Sequence, residues 1–471
     1  MSGGRLVCPA LRWRPESGFR HEEERIAAAL GAGVGGFIIF GGTAEAVAAL
    51  TARLVDHAGR PLLLGADVER GAGQQFEGLT EFPPPRALGS LDDAGVIRAA
   101  ARGTAEEALE VGINWVYAPV ADLDVEPDNP IVQTRSFGDH PALVARAVKT
   151  WIAAAQEAGV LACAKHFPGH GRTRHDSHDG VPEVDVPAAL LRSADLVPFQ
   201  AAVDAGVASV MTAHVAFPAL DPTGTPATYS APILSELRGA LGFGGLIVTD
   251  ALIMGGAASG RSPEDGAVAA LSAGVDVMLY PPDPVTMTAA LEQAIGRDPA
   301  LEIRAEQALA RYRAALGRVG RPGAGSDHAE AARGIADRLV ADGWIGTVPK
   351  LRPPIELVIV DDDVDGAWPA GPSHFLADRL RALGVPLGPG GSRVVVGLTE
   401  PRASKGRGGF GAKALERFAE MSPRASLVVL LAHPRWAAQA QGGSPVPVMV
   451  GWHRQRLMQE AAARWMAGAV R

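Results

Sequence analysis

The chain has 471 residues, 47% of them hydrophobic, with 44 basic and 52 acidic side chains and a formal net charge of −8. That is core material for more than one domain, and the acidic balance argues against a nucleic-acid scaffold and for a soluble protein. Two cysteines, Cys8 and Cys163, suggest no disulfide framework. The first residues lack the apolar core of a signal peptide, and no window approaches roughly 18 uninterrupted apolar residues. The expectation is a reduced, cytoplasmic protein with no membrane span and no nucleic-acid partner. Its oligomeric state is not readable.

Eight apolar runs follow in chain order: RLVCPA (5–10), GGFIIF (35–40), PLLLGAD (61–67), INWVYAPVAD (113–122), VLACAKHF (160–167), SVMTAHVAF (209–217), GLIVTDAL (245–252) and VDVMLY (275–280). Helical patterns such as EERIAAALGAG and PALVARAVKTWIAAAQEAG alternate with them. Alternation of this kind implies parallel strands joined by helical crossovers. Eight units predict a (β/α)8 barrel over residues 1–320. Asp67, Asp122, Lys165 with His166, His214 and Asp250 each fall at or near the C-terminal end of a predicted strand, the face from which such barrels draw their catalytic groups.

The breaker-rich GRVGRPGAGSD (317–327) begins a linker and helix, taken as 321–354. A smaller α/β sandwich-like domain, 355–471, then follows. Its predicted strands, about four in number, are IELVIVDD (355–362), RVVVGLTE (393–400), SLVVLLAHP (426–434) and VPVMVGW (446–452). GRGGFGAK (406–413) lacks the GK[ST] ending of a phosphate loop and reads as a surface loop.

The densest chemistry lies in KHFPGHGRTRHDSHDG (165–180), which holds His166, His170, His175 and His178 with Asp176 and Asp179. Zinc could use such ligands, but Pro168, Gly169 and Gly171 break any helix that would present them on one face. An acid/base loop explains more. Asp176 and His178 can meet if the loop turns at Ser177, and the carboxylate would then fix the imidazole tautomer for proton transfer near neutral pH. Asp250, at the end of a strong strand, suits a carboxylate nucleophile, while capping the next helix is an equally good account of that segment alone.

Together these segments resemble glycoside hydrolase family 3, and within it the β-N-acetylglucosaminidases. The resemblance rests on KHFPGHGRTRHDSHDGVP (165–182), TRSFGDHP (134–141), MTAHVAFPALD (211–221) followed by GTPATYS, and LGFGGLIVTDALIMGG (241–256). It implies Asp250 as nucleophile, His178 as general acid/base and Asp176 as its dyad partner. It also implies Asp67, Arg135, Lys165 and His166 as ligands of sugar hydroxyls, with His214 in a supporting role. No metal and no cofactor are implied. Two departures stand out. DVERGAGQQ (67–75) has Gln75 where the family places a substrate-binding Arg, and Ala251 replaces an acid after the nucleophile. The implied activity is retaining exo-hydrolysis of a terminal β-linked N-acetylglucosamine, on cell-wall turnover fragments or chitooligosaccharides. Phosphorolysis of the same bond, a β-glucosidase, and a non-catalytic sugar- or metal-binding protein are the alternatives. Glu400 and Glu416 of the second domain are the other acid/base candidates.

Overall fold

The computed structural model describes residues 3–174, 180–258, 260–323, 327–363, 371–401 and 405–470. His175, Asp176, His178 and Asp179 therefore lie outside the described residues. Contacts divide the chain into two compact units. The first comprises Met1–Thr80, Ile97–Glu126 and Ser136–Asp327; the second comprises Glu81–Val96, Pro127–Arg135 and His328–Arg471.

In the first unit every predicted run contains a strand. The strands are β1 (Val7–Cys8), β2 (Ala10–Arg12), β3 (Gly36–Phe40), β4 (Leu63–Ala66), β5 (Trp115–Val116), β6 (Leu161–Phe167), β7 (Ser209–Thr212), β8 (Leu246–Val248) and β9 (Met278–Leu279). Pro9 splits the first run into β1 and β2 because it has no N–H to donate. Strands β2 to β8 pair in order, all parallel. A parallel bridge from Val248 to Val277 and the β9–β1 pair complete the circuit. The fourth strand is shorter than its apolar stretch: the ladder ends at Val116, Pro119 follows, and only an isolated parallel bridge from Val120 to Lys165 continues it.

Side chains at alternate strand positions fill the barrel: Cys8, Ala10, Ile38, Leu63, Trp115, Tyr117, Leu161, Cys163, Met211 and Leu246 form one buried cluster. Gly65 is required there, since a Cβ on it would lie 2.3 Å from the Tyr117 hydroxyl. The indole of Trp115 donates to Ser209 Oγ at 2.8 Å, so its polar atom is satisfied in the core. Near the closure, the fully buried Asp276 accepts from Arg238 and Arg304 at 2.5 Å, from Arg311 at 3.1 Å and from the Ile247 N–H at 2.9 Å.

The surrounding helices follow from local signals. The helix Ala44–Ala58 begins after Thr43, whose hydroxyl accepts from Ala46 N, and ends at Gly59 with φ of 60°. Such a cap contributes about 1 kcal/mol. Val47, Leu50, Thr51 and Leu54, at helical spacing, are its buried face.

The second unit has a five-stranded sheet ordered β10 (Trp344–Ile345), β14 (Val448–Val450), β13 (Leu427–Leu431), β12 (Arg393–Leu398), β11 (Glu356–Asp361). Four of these are the predicted strands, mutually parallel. The fifth, β10, is an antiparallel edge two residues long, too short to leave a periodic signal. One face packs Val395, Val428 and Val448 against Phe410, Phe418 and Trp436. The stretch GRGGFGAK is not simply a surface loop. Gly408, Gly409 and Phe410 are buried, the Gly408 carbonyl accepts from Gln133 Nε2 at 2.8 Å, and a Cβ on Gly409 would lie 3.0 Å from the Trp436 ring. Close backbone approach, not phosphate chemistry, accounts for these glycines.

Candidate active site

Four strand ends of the barrel carry the candidate groups. Asp67 follows β4, Lys165 and His166 are the two residues before the last of β6, His214 lies just past β7, and Asp250 lies just past β8. The Lys165–His166 and Phe167–Pro168 peptides are cis, and the β6–β7 register shifts between Ala164 and Phe167.

Lys165 is 2% exposed, with Nζ 2.6 Å from Asp67 Oδ1 and 2.7 Å from Glu69 Oε1. A buried ammonium is tolerable only when so paired. The pairing also fixes Asp67, whose side chain remains 32% exposed.

Asp122 organises the start of the histidine loop. It is buried and accepts from the backbone N–H of His166 at 3.2 Å and of His170 at 2.7 Å. Its Oδ2 also lies 2.7 Å from His166 Nδ1. Burial raises its pKa, but the His166 and His170 imidazoles and the backbone donors outweigh burial and hold it below the ordinary carboxylate value. The same bond keeps the proton of His166 on Nδ1. His170 is also buried, with Nδ1 2.7 Å from Thr173 Oγ1, which in turn donates to the His170 carbonyl at 3.0 Å. Burial, with His166 beside it, pulls the His170 pKa down to about 4.

Asp250 accepts from the Ala251 N–H at 2.7 Å. The next helix starts at Gly255, so Asp250 is not its N-cap. Burial pushes its pKa up, but His166, His214, the Ala251 N–H and Lys165 together hold it below the ordinary value. Its neighbours therefore favour the ionised carboxylate. His214 is fully buried, with Nε2 3.3 Å from the Ala251 carbonyl and Nδ1 2.9 Å from Thr228 Oγ1.

The barrel thus brings together Asp67, Lys165, His166, His214 and Asp250. Arg135 belongs to the second unit, in the turn Gln133–Arg135, where its Nη1 donates to the Ile131 carbonyl at 3.4 Å. Asp176 and His178 lie outside the described residues. Gln75, at the family's arginine position, accepts from the Gly41 N–H at 3.2 Å. Three contributors were not singled out from sequence: Glu69, Thr228, and Asp122 as a clamp. Asp122 was visible as a strand-end acid, and Thr228 stands inside GTPATYS, but neither spacing reveals a partner more than ten residues away. Among the described residues no three His, Cys, Asp or Glu side chains group as metal ligands, and no helix is long and apolar enough to cross a membrane.

A family model described as the glycosyl hydrolase family 3 N terminal domain matches residues 11–313. The chain is 36% identical over 284 residues to a β-hexosaminidase of Alkalilimnicola ehrlichii, covering 58% of this chain and 80% of that one. It is 37% identical over 295 residues to a β-hexosaminidase of Chromobacterium violaceum, covering 60% and 81%. Among solved structures, a family 3 β-N-acetylglucosaminidase from Paenibacillus sp. str. FPU-7 superposes with a TM-score of 0.81 at 26% identity, covering 100% of this chain and 96% of that one. The chain belongs to glycosyl hydrolase family 3.

Proposed function

We propose that this glycoside hydrolase releases terminal β-linked N-acetylglucosamine with retention, through a covalent glycosyl–Asp250 intermediate. The observation that carries the reading is the ionised Asp250 carboxylate, just past β8 and among His166, His214 and Lys165. A lowered pKa keeps the nucleophile anionic, because the groups around it disfavour its protonation. The relatives named β-hexosaminidase support the choice of sugar.

In the first step an Asp250 oxygen bonds to the anomeric carbon while the glycosidic bond breaks, and His178 gives its proton to the departing oxygen. In the second, His178 takes a proton from water as that water's oxygen bonds to the anomeric carbon and the Asp250 bond breaks. Asp176 holds the His178 ring. Asp67, Lys165, His166 and Arg135 bind sugar hydroxyls, and His214 supports Asp250 through the Ala251 carbonyl. The dyad is assigned from the D-S-H motif in residues 176–178. No metal takes part, so chelators leave turnover unchanged and no stoichiometric zinc co-purifies. One zinc per chain, lost together with activity, contradicts this. The catalytic domain is taken as 1–320. Cell-wall fragments or chitooligosaccharides are the natural substrates, and the compartment is the cytoplasm, a choice in keeping with two buried free thiols.

The test is a panel of chromogenic β-GlcNAc, β-glucose and β-xylose glycosides, with and without phosphate. β-GlcNAc should be preferred, and free GlcNAc should be the product in both buffers. GlcNAc 1-phosphate as the main product makes the enzyme a phosphorylase. A preference for β-glucose makes it a glucosidase.

A further inference from the structure

The histidine loop has a second anchor besides the Asp122 clamp. Arg172 Nε donates to both oxygens of Asp195, at 3.0 Å to Oδ1 and 2.8 Å to Oδ2. We propose that Arg172 and Asp195 are a positioning pair for the proton-transfer dyad: their bond sets the path of the chain into the D-S-H motif, and with it the place of His178. This role rests on the hydrolase reading above, in which His178 moves the proton, and adds the residues through which that histidine is placed.

The pair stands at the right point in the chain. Before it the backbone is already held: the His166 and His170 N–H groups donate to Asp122, and the Gly171 carbonyl accepts from the Glu126 N–H at 3.3 Å. After the motif the backbone is held again, with the Ala216 N–H on the Pro182 carbonyl and the Val184 N–H on the Ala216 carbonyl, both at 2.9 Å. Asp176 lies four residues beyond Arg172 in the sequence, at most about 14 Å of extended chain. A shift at Arg172 therefore has little chain to absorb it before the dyad. Arg174 is no substitute. It donates to Glu126 at 2.9 Å, but its side chain is 71% exposed, where such a pair holds little.

Asp195 is a fixed post for that bond. It is buried and closes a π turn, Leu191–Asp195, in which the Leu196 N–H donates to the Leu191 carbonyl at 2.8 Å. Single turns of this kind recur at functional sites. The helix that follows, Val197–Asp204, is itself tied down by buried Pro198, Phe199 and Ala202. Gly169 of the loop passes close by: its φ is 140°, and a Cβ there would lie 3.4 Å from the Asp195 Cβ. Among the described residues, Arg172 is the one side chain that donates to Asp195. Burial raises the Asp195 pKa by more than Arg172 lowers it, so the pair is a poor source of stability. What it gives the loop is direction.

The test compares kcat/KM of the full chain on chitobiose and on 4-nitrophenyl β-GlcNAc. The sugar leaving group needs a proton and the nitrophenolate barely does, so misplacing the acid costs the first substrate alone. Arg172→Gln should lower kcat/KM for chitobiose at least about tenfold and for the nitrophenyl glycoside less than about threefold. Its kcat on the nitrophenyl glycoside should fall together with KM, because the second step loses its base. Added azide should restore that kcat, since azide bonds to the anomeric carbon as the Asp250 bond breaks and needs no proton removed. Arg172→Lys, which keeps the charge but not the guanidinium, should lose less. Asp195→Asn should repeat the Arg172→Gln pattern, and circular dichroism checks that each variant is folded. Equal loss on both substrates, or no loss on either, overturns the positioning role, because a pair that only held the fold together would not distinguish leaving groups. His178→Ala, measured alongside, separates this from the underlying reading. If His178→Ala shows the leaving-group pattern and Arg172→Gln does not, the pair is misassigned. If His178→Ala itself lacks the pattern, the acid/base reading falls and the pair's role falls with it.

Discussion

At Asp250, opposing effects act on one carboxylate. Burial raises its pKa, and His166, His214, the Ala251 N–H and Lys165 lower it further than burial raises it. His214 is one of the groups that lower it, so removing His214 removes part of what holds the proton off. His214→Gln should therefore move the acid limb of kcat/KM to higher pH while the fold, followed by circular dichroism, stays intact. An unmoved limb would show that His214 does not act on Asp250. His170 behaves in the opposite sense, because it is held neutral. Folded, it takes a proton only near pH 4, whereas its ordinary value is 6.5. Between those values the unfolded chain binds more protons, so stability rises with pH and is lost as pH falls from about 6.5 toward 4. The slope is at most about 1.4 kcal/mol per pH unit. The depressed Asp122 and Asp250 add their own loss only below the ordinary carboxylate range. Urea midpoints between pH 4 and 7 should show the slope in the wild type and a flatter curve in His170→Asn.

The strand β6 and the loop after it were legible as a unit, because the apolar run through KHF is followed by PGHG, whose proline and glycines neither continue a strand nor start a helix. What pins the loop was not legible. Asp122 lies 44 residues before His166 in the chain and reaches it only because β5 and β6 are neighbours. Gly171 shows the same limit. As sequence it is a flexible loop residue, but in the fold a Cβ there would lie 1.8 Å from the Leu123 carbonyl oxygen. Backbone cannot yield as a side-chain tip can, so Gly171→Ala must displace the loop that leads to the proposed dyad. Turnover should fall at least about tenfold, since small misplacements of catalytic groups carry that cost. Sugar binding through Asp67 and Lys165, measured as GlcNAc inhibition, should change far less. Equal loss of both would mean that the barrel mouth, not the loop, had been disturbed.

Across the whole molecule, eight apolar runs and their intervening helices were enough to read a barrel, because each run is long, apolar and bounded by breakers. The Trp344–Ile345 edge strand and the burial of Gly408 to Phe410 escaped, since each is decided by a partner far along the chain. The same is true of Asp276. In sequence it is one acid among fifty-two Asp and Glu residues, and in the fold it is the shared acceptor of three arginines. Asp276→Ala leaves those cations without their carboxylate, a change of the kind that costs about 3–5 kcal/mol. Chemical denaturation should show the unfolding midpoint falling accordingly. A shift under about 1 kcal/mol would show that the cluster is relaxed by solvent and does not hold the barrel closed.

The identity of the carboxylate that attacks the sugar decides the mechanism. A mechanism-based fluorinated β-GlcNAc analogue, incubated with the full chain and followed by peptide mapping, addresses that directly. The label is predicted on Asp250, and Asp250→Ala should lose the label together with at least about 10³-fold in turnover. A label on Asp122 or Asp124, or an Asp250→Ala enzyme that still traps the sugar, would contradict the account.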